Sequence, residues 1–87
     1  MMLMTKKYNV MLNSLTVQKT VFAATERCSA DVVAENESDG YAVNAKSVLG
    51  FFSLDLNRPV TITTNTEHDA EIIEAALRKN NVGYSVA

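Results

Sequence analysis

The chain predicts an α+β fold, a two-layer sandwich in which three helices cover one face of a four-stranded antiparallel sheet in the order βαββαβα. Three observations carry this prediction. Polar and apolar residues alternate at Lys6 to Leu12 and again at Val60 to Asn65, the period of a strand with one buried face. Apolar residues recur at steps of three and four through Val17, Val21, Ala24 and Cys28, and through Ala70, Ile73, Ala76 and Leu77, the period of a helix with one buried face. Between two short apolar runs lies Asn36-Glu37-Ser38-Asp39-Gly40, a polar turn whose Asp39-Gly40 tolerates φ > 0 and so closes a hairpin.

In chain order, the first strand covers Lys6 to Leu12, with Tyr8, Val10 and Leu12 on one side. Asn13 and Ser14 are both good N-cap residues for the helix that follows, and Phe22 widens its apolar stripe. Val32 to Glu35 and Tyr41 to Val43 form the hairpin strands. A short helix runs from about Ser47 to Leu54, then a loop through Asp55, Asn57 and Arg58. Pro59 opens the fourth strand, where its missing N–H matters least, and Val60, Ile62 and Thr64 alternate with Thr61, Thr63 and Asn65. Thr66 fits the N-cap of the last helix. Its first turn holds Glu67 and Asp69 and its last turn Arg78 and Lys79, each sign where the helix dipole favours it. Asn80, Asn81 and Gly83 stop that helix, and Tyr84 to Val86 reads as a short extended tail.

The 87 residues suit one domain over 1–87, and 47% hydrophobic content supplies a core. A net charge of −2 with scattered charges gives no basic stripe, which argues against nucleic-acid binding. The single Cys28 has no disulfide partner and lies in the apolar stripe of the first long helix, as a small buried hydrophobe in a reducing compartment does. Met1 to Met4 is an apolar start followed by Lys6 and Lys7, the wrong order and length for a signal peptide. No run approaches the roughly 18 apolar residues of a membrane span. A cytoplasmic protein without membrane insertion is expected. One histidine, His68, and dispersed carboxylates offer no metal-ligand spacing, and no glycine-rich phosphate loop or other cofactor motif is present.

The most informative stretch is Val43 to Leu56, V-N-A-K-S-V-L-G-F-F-S-L-D-L. Ser47 falls at the first turn of the short helix, where unpaired N–H groups and the helix dipole favour an anion. A phosphate there would lie beside Val48, Leu49, Phe51 and Phe52. Successive helical positions are about 100° apart, so these four cannot all face inward and one or two stay exposed as a contact surface. Lys46 stands next to Ser47 as a cation available to a phosphate or to a partner.

With the element order and this segment together, the chain resembles the HPr family, the small histidine-containing phosphocarrier proteins of the bacterial sugar phosphotransferase system. The likeness of V-N-A-K-S-V-L-G-F-F-S-L-D-L is to the pattern around the family's regulatory serine; agreement of element order extends it over roughly residues 6 to 80. The resemblance implies an open-faced HPr-like sandwich. It also implies Ser47 as the acceptor of an ATP-dependent serine kinase, with Lys46, Val48, Leu49, Phe51 and Phe52 as a docking surface. The partners it implies are proteins of the sugar phosphotransferase system or its regulatory kinase. In the family, the first strand runs into a G-[IL]-H-A-R-P-A loop whose histidine carries phosphate. Here that stretch reads Leu12-Asn13-Ser14-Leu15-Thr16-Val17-Gln18-Lys19, without His, Arg or Pro, and Ser14 stands about where the histidine would be. A serine ester is too stable for relay, and no activating base is evident beside Ser14. The expectation is a non-catalytic regulatory or adaptor paralogue switched at Ser47, and not an enzyme. Binding to a catabolite repressor is expected to be weak even after phosphorylation, because such complexes in the family also use the altered loop. Two alternatives stand beside it: a phosphocarrier with an unorthodox acceptor, Ser14 or His68, and an unmodified docking module.

Overall fold

The structure is a computed structural model that describes residues 3–87, with side chains from Thr5 onward; the apolar start at Met1 and Met2 lies outside the described residues. The order is β1 (Leu3–Val10), α1 (Leu15–Glu26), β2 (Val33–Asn36), β3 (Tyr41–Asn44), α2 (Val48–Phe51), β4 (Val60–Thr66), α3 (Glu67–Lys79) and β5 (Tyr84–Val86). Among the described residues the fold class is α+β with three helices, but the antiparallel sheet has five strands in the order β3-β2-β4-β1-β5 rather than the expected four.

The fifth strand is the expected extended tail, paired where sequence gave no sign of a partner. Three residues are too few to display an alternation. What directs them is the end of α3. Asn81 adopts the left-handed region at φ 53, a conformation asparagine tolerates better than most residues. The N–H of Val82 then reaches back to the Leu77 carbonyl at 2.9 Å and that of Asn81 to Arg78 at 3.2 Å, the paired bonds of a Schellman motif. The chain reverses and lies along β1, with Tyr84 opposite Val10 and Val86 opposite Tyr8. The Tyr8 and Tyr84 rings meet edge-on at 6.0 Å, and the Arg78 guanidinium donates to the Tyr84 hydroxyl at 3.1 Å.

Sheet register follows the alternation. Ile62 on the central β4 lies between Tyr8 of β1 and Ala34 of β2, and all three are fully buried. Val10, Val60, Val21, Ile73 and Leu77 belong to the same core. The opposite face of β1 and β4 carries Lys7, Asn9, Thr63 and Asn65, which are exposed or half-buried. Both long helices start as expected: the Ser14 hydroxyl accepts the Val17 N–H at 3.2 Å, and the Thr66 hydroxyl that of Asp69 at 3.1 Å. The hairpin turn closes through Gly40, whose φ of 70 fits a residue without Cβ, and whose N–H donates to the Asn36 carbonyl at 2.9 Å.

Helix α2 is shorter than expected. After Phe52 the bonds change to i→i−3, with Ser53 N–H on Gly50 at 3.1 Å and Leu54 N–H on Phe51 at 3.3 Å. The Ser53 hydroxyl also donates to the Gly50 carbonyl, at 2.6 Å, competing with the helical ladder. At Gly50, α2 lies close against the strand before it. A Cβ there would lie 3.2 Å from the Asn44 carbonyl oxygen and 3.4 Å from Val43 Cβ.

Candidate functional site

The residues singled out in the sequence gather around α2. Ser47 is its N-cap, in extended backbone at φ −92 and ψ 123, and its exposed hydroxyl accepts the Gly50 N–H at 3.2 Å. The hydroxyl is therefore accessible, and it is held at the end of the helix where backbone N–H groups point outward.

Of the four apolar neighbours, one turns in and three stay out. Phe51 is fully buried, while Leu49 is 83% exposed, Val48 54% and Phe52 37%. Phe51 forms the floor of the surface rather than part of it. Its ring packs 5.4 Å from Phe22 of α1 and 5.1 Å from Phe52, with Phe22 and Phe52 5.9 Å apart. Burial of a phenylalanine of this kind contributes about 2–3 kcal/mol, which fixes α2 against α1. Leu15, 59% exposed, lies on the same stripe of α1 as Phe22, two turns nearer its start. Val48, Leu49 and Phe52 thus leave an exposed apolar surface on α2, seated on α1 through Phe22.

Both ends of α2 are tied to the body of the domain. At its entry, buried Ala45 donates its N–H to the Val32 carbonyl at 2.8 Å and accepts the Thr25 hydroxyl at 3.0 Å. The half-buried Lys46 ammonium donates to the carbonyl of Cys28 at 2.9 Å and of Ala30 at 3.5 Å. At its exit, the buried Asn36 side chain pairs with the backbone of Asp55, donating at 3.0 Å and accepting at 2.8 Å. Lys46 was expected at the surface beside Ser47; its charge is directed instead at the segment after α1. None of Asn36, Thr25 or this use of Lys46 is visible in the sequence, because each contact spans 16 or more positions.

Asp69 is a second buried feature that the sequence understated as one acid in the first turn of α3. Its carboxylate accepts the N–H groups of Ser29 at 2.9 Å and Ala30 at 2.8 Å and the Ser29 hydroxyl at 3.3 Å. Burial raises its pKa, but these bonds, aided by nearby His68, outweigh it and hold the carboxyl below its ordinary value.

The side chains of the remaining candidates make none of the hydrogen bonds that hold α2. The Ser14 hydroxyl receives only the Val17 N–H, and among the described residues no side-chain base hydrogen-bonds to it. His68 is exposed in the first turn of α3. Cys28 is 4% exposed, its thiol pushed up to about 11 by burial and by the Asp69 charge. Among the described residues no three His, Cys, Asp or Glu side chains converge as a metal site, and no helix is long and apolar enough to cross a membrane.

Comparison with protein-family models, curated proteins and solved structures finds no match to this chain.

Proposed function

We propose that this chain is an HPr-like regulatory or adaptor protein of a bacterial sugar phosphotransferase system, cytoplasmic and without carrier activity, switched by phosphorylation of Ser47. The observation that carries the reading is the combination at α2: an accessible helix-start hydroxyl immediately beside three exposed apolar side chains. The V-N-A-K-S-V-L-G-F-F-S-L-D-L segment supplies the family context, and the sandwich of helices on an antiparallel sheet is compatible with it. Val48, Leu49 and Phe52 serve as the contact surface, with Phe51 beneath them. A phosphate on Ser47 adds about 1.5–2 negative charges at the edge of that surface. It thereby weakens docking to partners that bury the apolar patch and favours partners that bring Arg or Lys to it. Without a histidine at the carrier position, and with Ser14 engaged only in capping, relay of phosphate to a transporter is not part of this role.

The test is intact-protein mass spectrometry with site mapping after incubation with ATP and the HPr serine kinase of the same organism. One added phosphate on Ser47, absent from Ser47→Ala, is expected. An unlabelled chain alongside ordinary HPr labelled in parallel refutes the proposal.

A further inference from the structure

Two opposite charges grip the same three residues. Asp69 draws on the N–H groups of Ser29 and Ala30, while the Lys46 ammonium draws on the carbonyls of Cys28 and Ala30. Among the described residues Asp69 has no cation within salt-bridge distance, so the peptide units of this segment stand between a buried carboxylate and a half-buried ammonium. In the Cys28–Ser29 peptide unit the N–H faces the negative charge and the carbonyl the positive one, the orientation in which each bond strengthens the other. The Lys46 backbone is meanwhile fixed at the turn before α2, its N–H on Asn44 Oδ1 at 2.9 Å, and the next N–H, of Ser47, donates to the Asn44 carbonyl at 3.0 Å. Lys46 therefore joins the start of α2 to the segment that α3 anchors through Asp69.

We propose that Lys46 is a positioning residue, holding Ser47 and the exposed face of α2 in place through the Cys28–Ala30 segment, and that it is not the counter-ion of a phosphate on Ser47. This rests on the reading of Ser47 and its apolar neighbours as the working surface. To reach a phosphate, the ammonium has to give up two carbonyls in a half-buried site for an exposed ion pair that solvent weakens. The phosphate is then left for a partner's cations to neutralise.

The test compares the wild-type chain with Lys46→Met and Lys46→Arg by two readings. Amide exchange by NMR, on unmodified protein, follows Gly50 and Phe51 of α2 against Ile62 of the central strand. Exchange in α2 is expected to accelerate about tenfold more than at Ile62 in Lys46→Met, and to return close to wild type in Lys46→Arg. The second reading is a phosphorus NMR titration of protein carrying phosphoserine installed at position 47 during translation. Its midpoint, near 6 for a free phosphoserine, is expected to move by less than about 0.3 unit in Lys46→Met. A larger rise means that Lys46 does pair with the phosphate and overturns the proposal. Equal acceleration at α2 and Ile62, or none at either, shows a merely structural lysine and overturns it too. Should Lys46→Met not fold, Lys46→Gln, which keeps a donor and loses the charge, takes its place with the same expectations. The exchange reading needs neither kinase nor partner, so its failure is distinct from failure of Ser47 to be phosphorylated.

Discussion

Replacing Asp69 by asparagine changes little in shape and removes the charge that holds the segment after α1. The carboxylate takes the Ala30 N–H on one oxygen, and the Ser29 N–H and hydroxyl on the other. An asparagine can offer its single oxygen to one side only, and its NH2 group then faces the donor on the other. One charge-assisted bond, worth about 1.5–3 kcal/mol, is lost, and an N–H is left unpaired at a further cost of about 1–3 kcal/mol. Relief from burying a charge offsets part of this, so about 2–4 kcal/mol is expected at pH 7. At about 4–8 °C per kcal/mol for a domain of this size, Tm falls by roughly 10–30 °C. The pH dependence gives the sharper test. Because the folded carboxyl is held below its unfolded value of about 3.9, its contribution is complete above that pH. It is lost as pH falls through the lower folded value, so the gap between wild type and Asp69→Asn is constant from pH 7 to 5 and narrows in more acid solution. Urea unfolding at several pH values between 7 and 3 measures it. A gap below about 1 kcal/mol at pH 7, or one of the same size at pH 3, refutes the account of Asp69 as a charged clamp.

The surface and its floor are expected to separate cleanly on mutation. Leu49→Ser, at an exposed position, should change unfolding free energy by no more than about 0.5 kcal/mol while abolishing any docking through α2, whereas Phe51→Ala should cost about 3–5 kcal/mol in the same denaturant titration. Gly50→Ala brings a methyl to 3.2 Å from the Asn44 carbonyl, and crowding outweighs the gain in helix propensity; Tm should fall by several degrees, and a rise refutes the close-approach reading. Asn36→Ala leaves the Asp55 N–H and carbonyl without their partners and should cost about 2–4 kcal/mol by chemical unfolding, with an unchanged midpoint counting against the clamp. Cys28, buried and with its thiol pushed up to about 11, should react with a disulfide reagent at pH 8 only as fast as the chain opens; immediate reaction in native buffer contradicts its placement.

What the sequence made legible and what it hid divide along one physical line. Periodicity reports burial of whole faces, so the alternation of Tyr8 and Val10 and the steps from Val17 to Cys28 located the strand and the helix, and Ser14 and Thr66 located both long helix starts. Capping is local, and the bonds from Val17 and Asp69 to those hydroxyls each span three positions. The sheet's fifth strand was hidden because its cause is also local but conformational: Asn81 in the left-handed region turns the chain, and asparagine after a helix signals a stop without saying where the chain goes next. The orientation of α2 was hidden for another reason. Val48, Leu49, Phe51 and Phe52 are all apolar, so composition cannot choose which one faces inward. The choice is made by Phe22, 29 positions before Phe51, whose ring meets Phe51 and Phe52. Once Phe51 is seated, helical geometry turns Leu49, about 200° away, outward, while Val48, about 60° from Phe51, lies on the flank and is 54% exposed at the start of the helix beside Ser47. The exposed patch is thus a consequence of core packing, and it exists only while α1 and α2 remain in register. For that reason the clamps at Lys46 and Asn36 matter to any partner that reads this surface, although neither side chain is part of the exposed apolar surface.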